Sequence, residues 1–120
     1  MAFHSRRAYP SDASDIASAH LDSIRSLGTG FYLPEVVNDW AESVAPDLYI
    51  NAMDGGEVFF IAVEAIEGAN VVLGFASDYV REGSQHGTSV YVRGPAARRG
   101  VGSTLFKLAE AEAISRGATS

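Results

Sequence analysis

The pattern of apolar and polar positions along the chain changes near residue 57. Before that point, after a short first strand, the spacing is helical. Residues 3 to 8, "FHSRRA", read as a short first strand, and "YPSDASD" then starts a helix. Ser11 or Asp12 is placed to cap free amides, and Asp15 sits near the positive helix end. Ile16, Ala19, His20, Ile24 and Leu27 recur at helical intervals until "GTG" at 28–30 stops the run. Pro34 suits the first turn of a second helix, with Val36, Val37, Trp40 and Val44 as its apolar face. "APDLYINAM" predicts a third, begun by Pro46, and "DGGE" at 54–57 is a turn.

After that turn the apolar runs become continuous, branched and aromatic. "VFFIAV" (58–63) and "VVLGFAS" (71–77), joined by "EGAN", predict an antiparallel hairpin of strands buried on both faces. "REGSQHG" reads as a loop and "TSVYV" (88–92) as the next strand. "GSTLFKLAEAEAISRG" is a helix with Leu105, Leu108 and Ala109 inward and Gly117 as its stop. The order is β, helices, β, β, β, helix, with no repeat or linker, so residues 1–120 are expected to form a single α/β domain.

Composition narrows what such a domain does. The 120 residues suffice for one core. A net charge of -6 argues against nucleic acid, which needs a basic surface, and is compatible with a cationic substrate, the alternative being an ordinary solvated acidic surface. There is no cysteine, which excludes disulfides, a thiolate nucleophile and Cys-ligated zinc. The three histidines have no metal-ligand spacing, so no metal is expected. The amino-terminal residues lack the apolar core of a secretory signal, and no apolar run approaches the ~20 residues of a membrane span. A soluble, cytoplasmic protein without membrane contact is the expectation.

The candidate chemistry lies in "VYVRGPAARRGVGSTLF" (90–106). A strand entering a helix through a glycine turn aims free N–H groups and the positive helix end at one spot, which suits phosphate. Gly100 and Gly102 let a ligand approach the backbone. Ser103 adds a hydroxyl, and Arg98 and Arg99 are placed to clamp phosphate. The alternative is a tight turn with two surface arginines. A Walker A loop would need a lysine before Ser103, and a dinucleotide fingerprint would need glycine at Leu105.

This stretch resembles motif A of the GCN5-related N-acetyltransferase (GNAT) superfamily, Q/R-x-x-G-x-G/A at the start of a helix. Upstream, "SRRAYPSDASDIASAHLDSIRSL", "FYLPEVVNDWAES" and "VFFIAVEAIEGANVVLGFAS" resemble the family's first strand and helix, second helix and central hairpin. The resemblance implies a mixed, mostly antiparallel sheet flanked by helices. It implies that acetyl-CoA is the donor, with Arg98, Arg99, Gly100, Val101, Gly102, Ser103 and Thr104 around its pyrophosphate. The backbone of Val90, Tyr91 and Val92 would lie along pantetheine and polarise the thioester carbonyl. The Q/R position is Ala97 here, and Gly94 followed by Pro95 stands where a proline is usual.

The resemblance also implies acetyl transfer to a primary amine by direct attack in a ternary complex. His86, read as lying just before the strand, aligns where many relatives carry a glutamate base, and an unperturbed imidazole suits that task. The alternative is an exposed loop histidine, and Asp78 and Glu82 are rival bases. Phe31 and Tyr32 would wall the amine pocket, the alternative being core packing. Relatives continue with a fifth strand, a fourth helix and closing strands, so the chain reads as C-terminally truncated. A non-catalytic CoA-binding or interaction module is therefore the rival reading. The edge of strand 88–92 and the last helix lead to the expectation of a homodimer.

Overall fold

The computed structural model describes residues 3–28, 34–80, 86–96 and 98–116, with the side chains of Leu27, Pro34, Trp40, Val80 and His86 outside that description. The elements are β1 (His4–Arg7), α1 (Ala13–Gly28), α2 (Pro34–Glu42), α3 (Pro46–Asp54), β2 (Val58–Ile66), β3 (Ala69–Val80), β4 (His86–Val92) and α4 (Val101–Ser115). The strands form one sheet in the order β1-β2-β3-β4, and all three pairings are antiparallel. This is the predicted α/β order. No helix among the described residues is long and apolar enough to cross a membrane.

The sheet has two covered faces. Phe59, Ile61, Val63, Val72 and Phe75 meet Ile16 and Ala19 of α1 and Tyr49 of α3 on one. Ala62, Leu73 and Ala76 meet Val101, Leu105 and Ala109 of α4 on the other. Val72 and Phe75 share a face although three residues apart, which a regular strand forbids. A bulge is the reason: Ala62 pairs with Gly74 but Val63 pairs with Val72, leaving Leu73 as an extra residue. Sequence periodicity did not reveal it, because this strand is apolar on both faces.

Arg93, just after β4, fastens the bulge. Its amide donates to the Leu73 carbonyl at 2.8 Å and its Nε to the Val72 carbonyl at 2.7 Å. Its Nη2 donates to Ser18 Oγ of α1 at 2.9 Å. One side chain thus ties the sheet's irregular point to the helix above it.

Several boundaries differ from the expected ones. The hairpin turn contracts to Glu67 and Gly68, both left-handed (φ 50° and 82°), so the flanking strands extend to the turn itself. β4 begins at His86, not Thr88, because Gly87 and His86 continue the ladder opposite Tyr79 and Val80. A short 3-10 turn, Pro10–Asp12, precedes α1. The Asp12 carboxylate accepts from the Tyr9 amide at 2.8 Å and from both Nη atoms of Arg6 at 3.0 Å. It therefore ties β1 to the turn, and the Arg6 guanidinium holds its carboxyl below the usual range. Gly117, the predicted stop of the last helix, lies outside the described residues.

Candidate functional site

The loop from β4 to α4 is built by backbone conformation. After a 3-10 turn at Gly94–Ala96, Arg98 (φ 69°) and Gly100 (φ 81°) are both left-handed. Gly100 is the N-cap of α4, and its carbonyl accepts the first helical bond from the Thr104 amide at 3.0 Å. The amides of Val101, Gly102 and Ser103 precede that bond, so they have no partner within the helix, and they lie at its positive end. A Cβ on Gly100 would meet nothing within 4 Å. Glycine is favoured there by conformation, and the space beside it is open to a ligand.

The predicted residues divide between the faces of the sheet. Val90 and Val92 pack against the α4 cluster, and Gly102 lies over them, its Cβ position 3.6 Å from Val92 Cγ2. Tyr91 points the other way, stacked on Phe75 with 5.3 Å between ring centroids. Val101 is buried, Thr104 half-buried, and Arg98, Gly100 and Ser103 exposed. The Gly100–Thr104 segment and β4 thus adjoin.

Arg99 occupies a different place from the one expected. Its guanidinium makes a two-point contact with the Glu64 carboxylate of β2, at 3.1 and 2.6 Å. The Glu64 side chain is 4% exposed. A lone carboxylate inside "VFFIAVEAI" is itself a signal of a partner, since a buried charge needs one. The sequence reading did not use that signal.

The candidate base and acceptor pocket are less fully described. His86 is the first residue of β4, paired with Val80, so it is a strand residue and not a loop residue; its side chain lies outside the described residues. Of the rivals, Asp78 is fully buried on β3 and accepts from Thr88 Oγ1 at 2.7 Å. Glu82, Phe31 and Tyr32 lie outside the described residues, as does the Trp40 side chain. No group of acidic residues or histidines that would hold a metal occurs among the described residues.

His20, whose place on the first helix allows either a packed or a partly exposed residue, is a polar node on the opposite face from α4. Its Nδ1 lies 2.7 Å from the Tyr49 hydroxyl, and its ring centroid 4.2 Å from that of Tyr91. Burial pushes the imidazole below its usual pKa and the Tyr49 phenol above its own. A groove of about 500 Å³ lies between α1, the start of α3 and Arg93, with Ser18, Leu21 and Arg25 among its walls. It does not include the α4 N-terminus.

Comparison with known proteins places this arrangement. No family model matches the chain, and no curated protein matches it. Solved structures do. The PaiA N-acetyltransferase of Thermoplasma acidophilum, in complex with coenzyme A, superposes with a TM-score of 0.80 at 17% identity, over 98% of this chain and 75% of that one. A GCN5-related N-acetyltransferase of Rhodopseudomonas palustris gives 0.74 at 29% identity, over 98% and 69%. A GNAT family acetyltransferase of Brucella melitensis, in complex with acetyl-CoA, gives 0.71 at 19%, over 98% and 71%. The chain has the fold of the GNAT acetyltransferases.

Proposed function

We propose that this chain, with its GNAT fold, binds acetyl-CoA at the β4–α4 loop and transfers the acetyl group to a primary amine. The observation that carries the reading is the left-handed Gly100 at the start of α4, with open space beside it and, behind it, the first helix amides, which have no partner within the helix. An anionic diphosphate suits that spot by charge. Solved relatives of the same fold that hold CoA or acetyl-CoA support the choice of ligand.

Acetyl-CoA supplies an activated thioester. The backbone N–H groups of β4 are suited to donate to its carbonyl oxygen, because the strand has only β3 as a neighbour among the described residues. His86 accepts the proton that the amine must lose before its nitrogen attacks the carbonyl carbon. The C–S bond then breaks, and the leaving thiolate takes up the second proton, the one that the nitrogen gives up as the amide forms. Without cysteine, direct attack needs no acyl-enzyme stage.

Calorimetric titration with acetyl-CoA tests the binding half, and absence of heat at high micromolar ligand refutes it. A screen over polyamines, aminoglycosides, amino acids and peptide N-termini tests turnover. His86→Ala is expected to slow that turnover by about 10²-fold or more. An unchanged rate removes His86 from the mechanism. Binding without turnover of any amine favours the non-catalytic CoA-binding module.

The assembly proposed is a homodimer through the exposed side of α4, which leaves the outer edge of β4 to acetyl-CoA. Phe106 and Ile114 of that helix are 44% and 64% exposed. Sedimentation at micromolar concentration is expected to show twice the 12.7 kDa chain mass. A clean monomer refutes the dimer.

A further inference from the structure

The Arg99–Glu64 pair joins the loop to the sheet at a particular point. Arg99 stands between two left-handed residues, Arg98 and Gly100. For arginine that conformation is disfavoured by contact between Cβ and the following carbonyl. Something must hold the turn in place. Arg99 reaches Glu64 with both Nη atoms, one on each carboxylate oxygen. Such a fork fixes orientation as well as distance. Its anchor is buried on an inner strand of the sheet, not on the loop. The guanidinium keeps the Glu64 carboxyl below the usual range, so the pair is charged at neutral pH.

We propose that Glu64 is a positioning residue for the diphosphate: through Arg99 it holds the 98–100 turn in the form that presents the first amides of α4. Arg99 is then a strut and not a phosphate ligand. The inference rests on the proposed CoA site at this loop. It predicts the opposite sign from the simpler reading of the same arginine. If Arg99 clamped phosphate directly, removing the Glu64 charge would release it and tighten binding. If Arg99 is a strut, the same change loosens the turn and weakens binding, although Glu64 touches no ligand.

The test is CoA binding, by calorimetry, to the wild type, Glu64→Gln, Arg99→Gln and the double variant. Each single change is expected to weaken CoA by about tenfold, the size of one charge-assisted contact. The double variant is expected to be no weaker than either single one, since both break the same strut. The amide signals of Gly100 and Gly102 in the ligand-free protein are expected to move alike in both single variants. Arg99→Lys keeps the charge but loses the fork, and is expected to bind as poorly as Arg99→Gln. That variant also carries the test if Glu64→Gln does not fold. Equal or tighter CoA binding by Glu64→Gln, full binding by Arg99→Lys, or unmoved glycine signals each overturn the strut. A wild type that binds no CoA overturns the loop site itself.

Discussion

Replacing Gly100 and Gly102 together by glutamate is expected to abolish CoA binding while the domain remains folded. The structure makes this a clean experiment. The Cβ position at Gly100 meets nothing within 4 Å, and that at Gly102 makes only ordinary contact, 3.6 Å from Val92 and 3.9 Å from Val90. The folding cost is dominated by the left-handed conformation at position 100, about 1–2 kcal/mol for a residue with a Cβ. The binding cost is larger. Two carboxylates would stand where the free amides of α4 meet a diphosphate, and like charges set side by side cost several kcal/mol, more than ~100-fold in affinity. Circular dichroism and thermal unfolding check the fold, and calorimetry checks the binding. Retained affinity in a folded double variant would place the ligand elsewhere.

Gly74→Ala is expected to be among the most destabilising single changes in the chain. Gly74 faces Val92 in the β3–β4 ladder, next to the Leu73 bulge. A Cβ there would lie 2.6 Å from the Tyr91 carbonyl oxygen and 3.1 Å from Val92 Cα. Both are backbone atoms, so no side chain can rotate away, and one strand must move. Overpacking of this kind costs about 3 kcal/mol. With unfolding entropy of about 2.1 cal/mol/K per residue, that lowers Tm by roughly 12 °C. Because the displaced residues are Tyr91 and Val92, acetyl-CoA affinity should fall with stability. Thermal unfolding within a few degrees of the wild type would mean that β4 yields easily there, and would refute the close approach.

Most of the fold was legible from residue order. The helical recurrence from Ile16 to Ile24, Pro34 and Pro46 as helix starters, and the continuous runs 58–63 and 71–77 each encode their element locally. The candidate ligand loop was legible for the same reason. A glycine needed at positive φ and a helix start are local facts, and Gly100 carries both. The bulge at Leu73 was not legible, because it changes which residues share a face in a strand with no polar side to mark the change. The two-residue lengthening of β4 was not legible either, because Gly87 and His86 carry turn-like propensities that pairing with β3 overrides.

Side-chain partnership is where sequence reasoning stopped. Arg98 and Arg99 are adjacent and chemically identical, and nothing local separates their roles. Tertiary structure decided between them: the turn leaves Arg98 exposed and brings Arg99 to a carboxylate 35 residues earlier in the chain. In the same way His20 met the Tyr49 hydroxyl and Arg93 met the carbonyls of Val72 and Leu73. The sequence by itself determined the elements and their order, since these follow from short-range sterics and apolar periodicity. The folded sheet alone determined which charges and polar groups found partners, since those contacts join residues that only the packing of distant strands and helices brings within hydrogen-bond range.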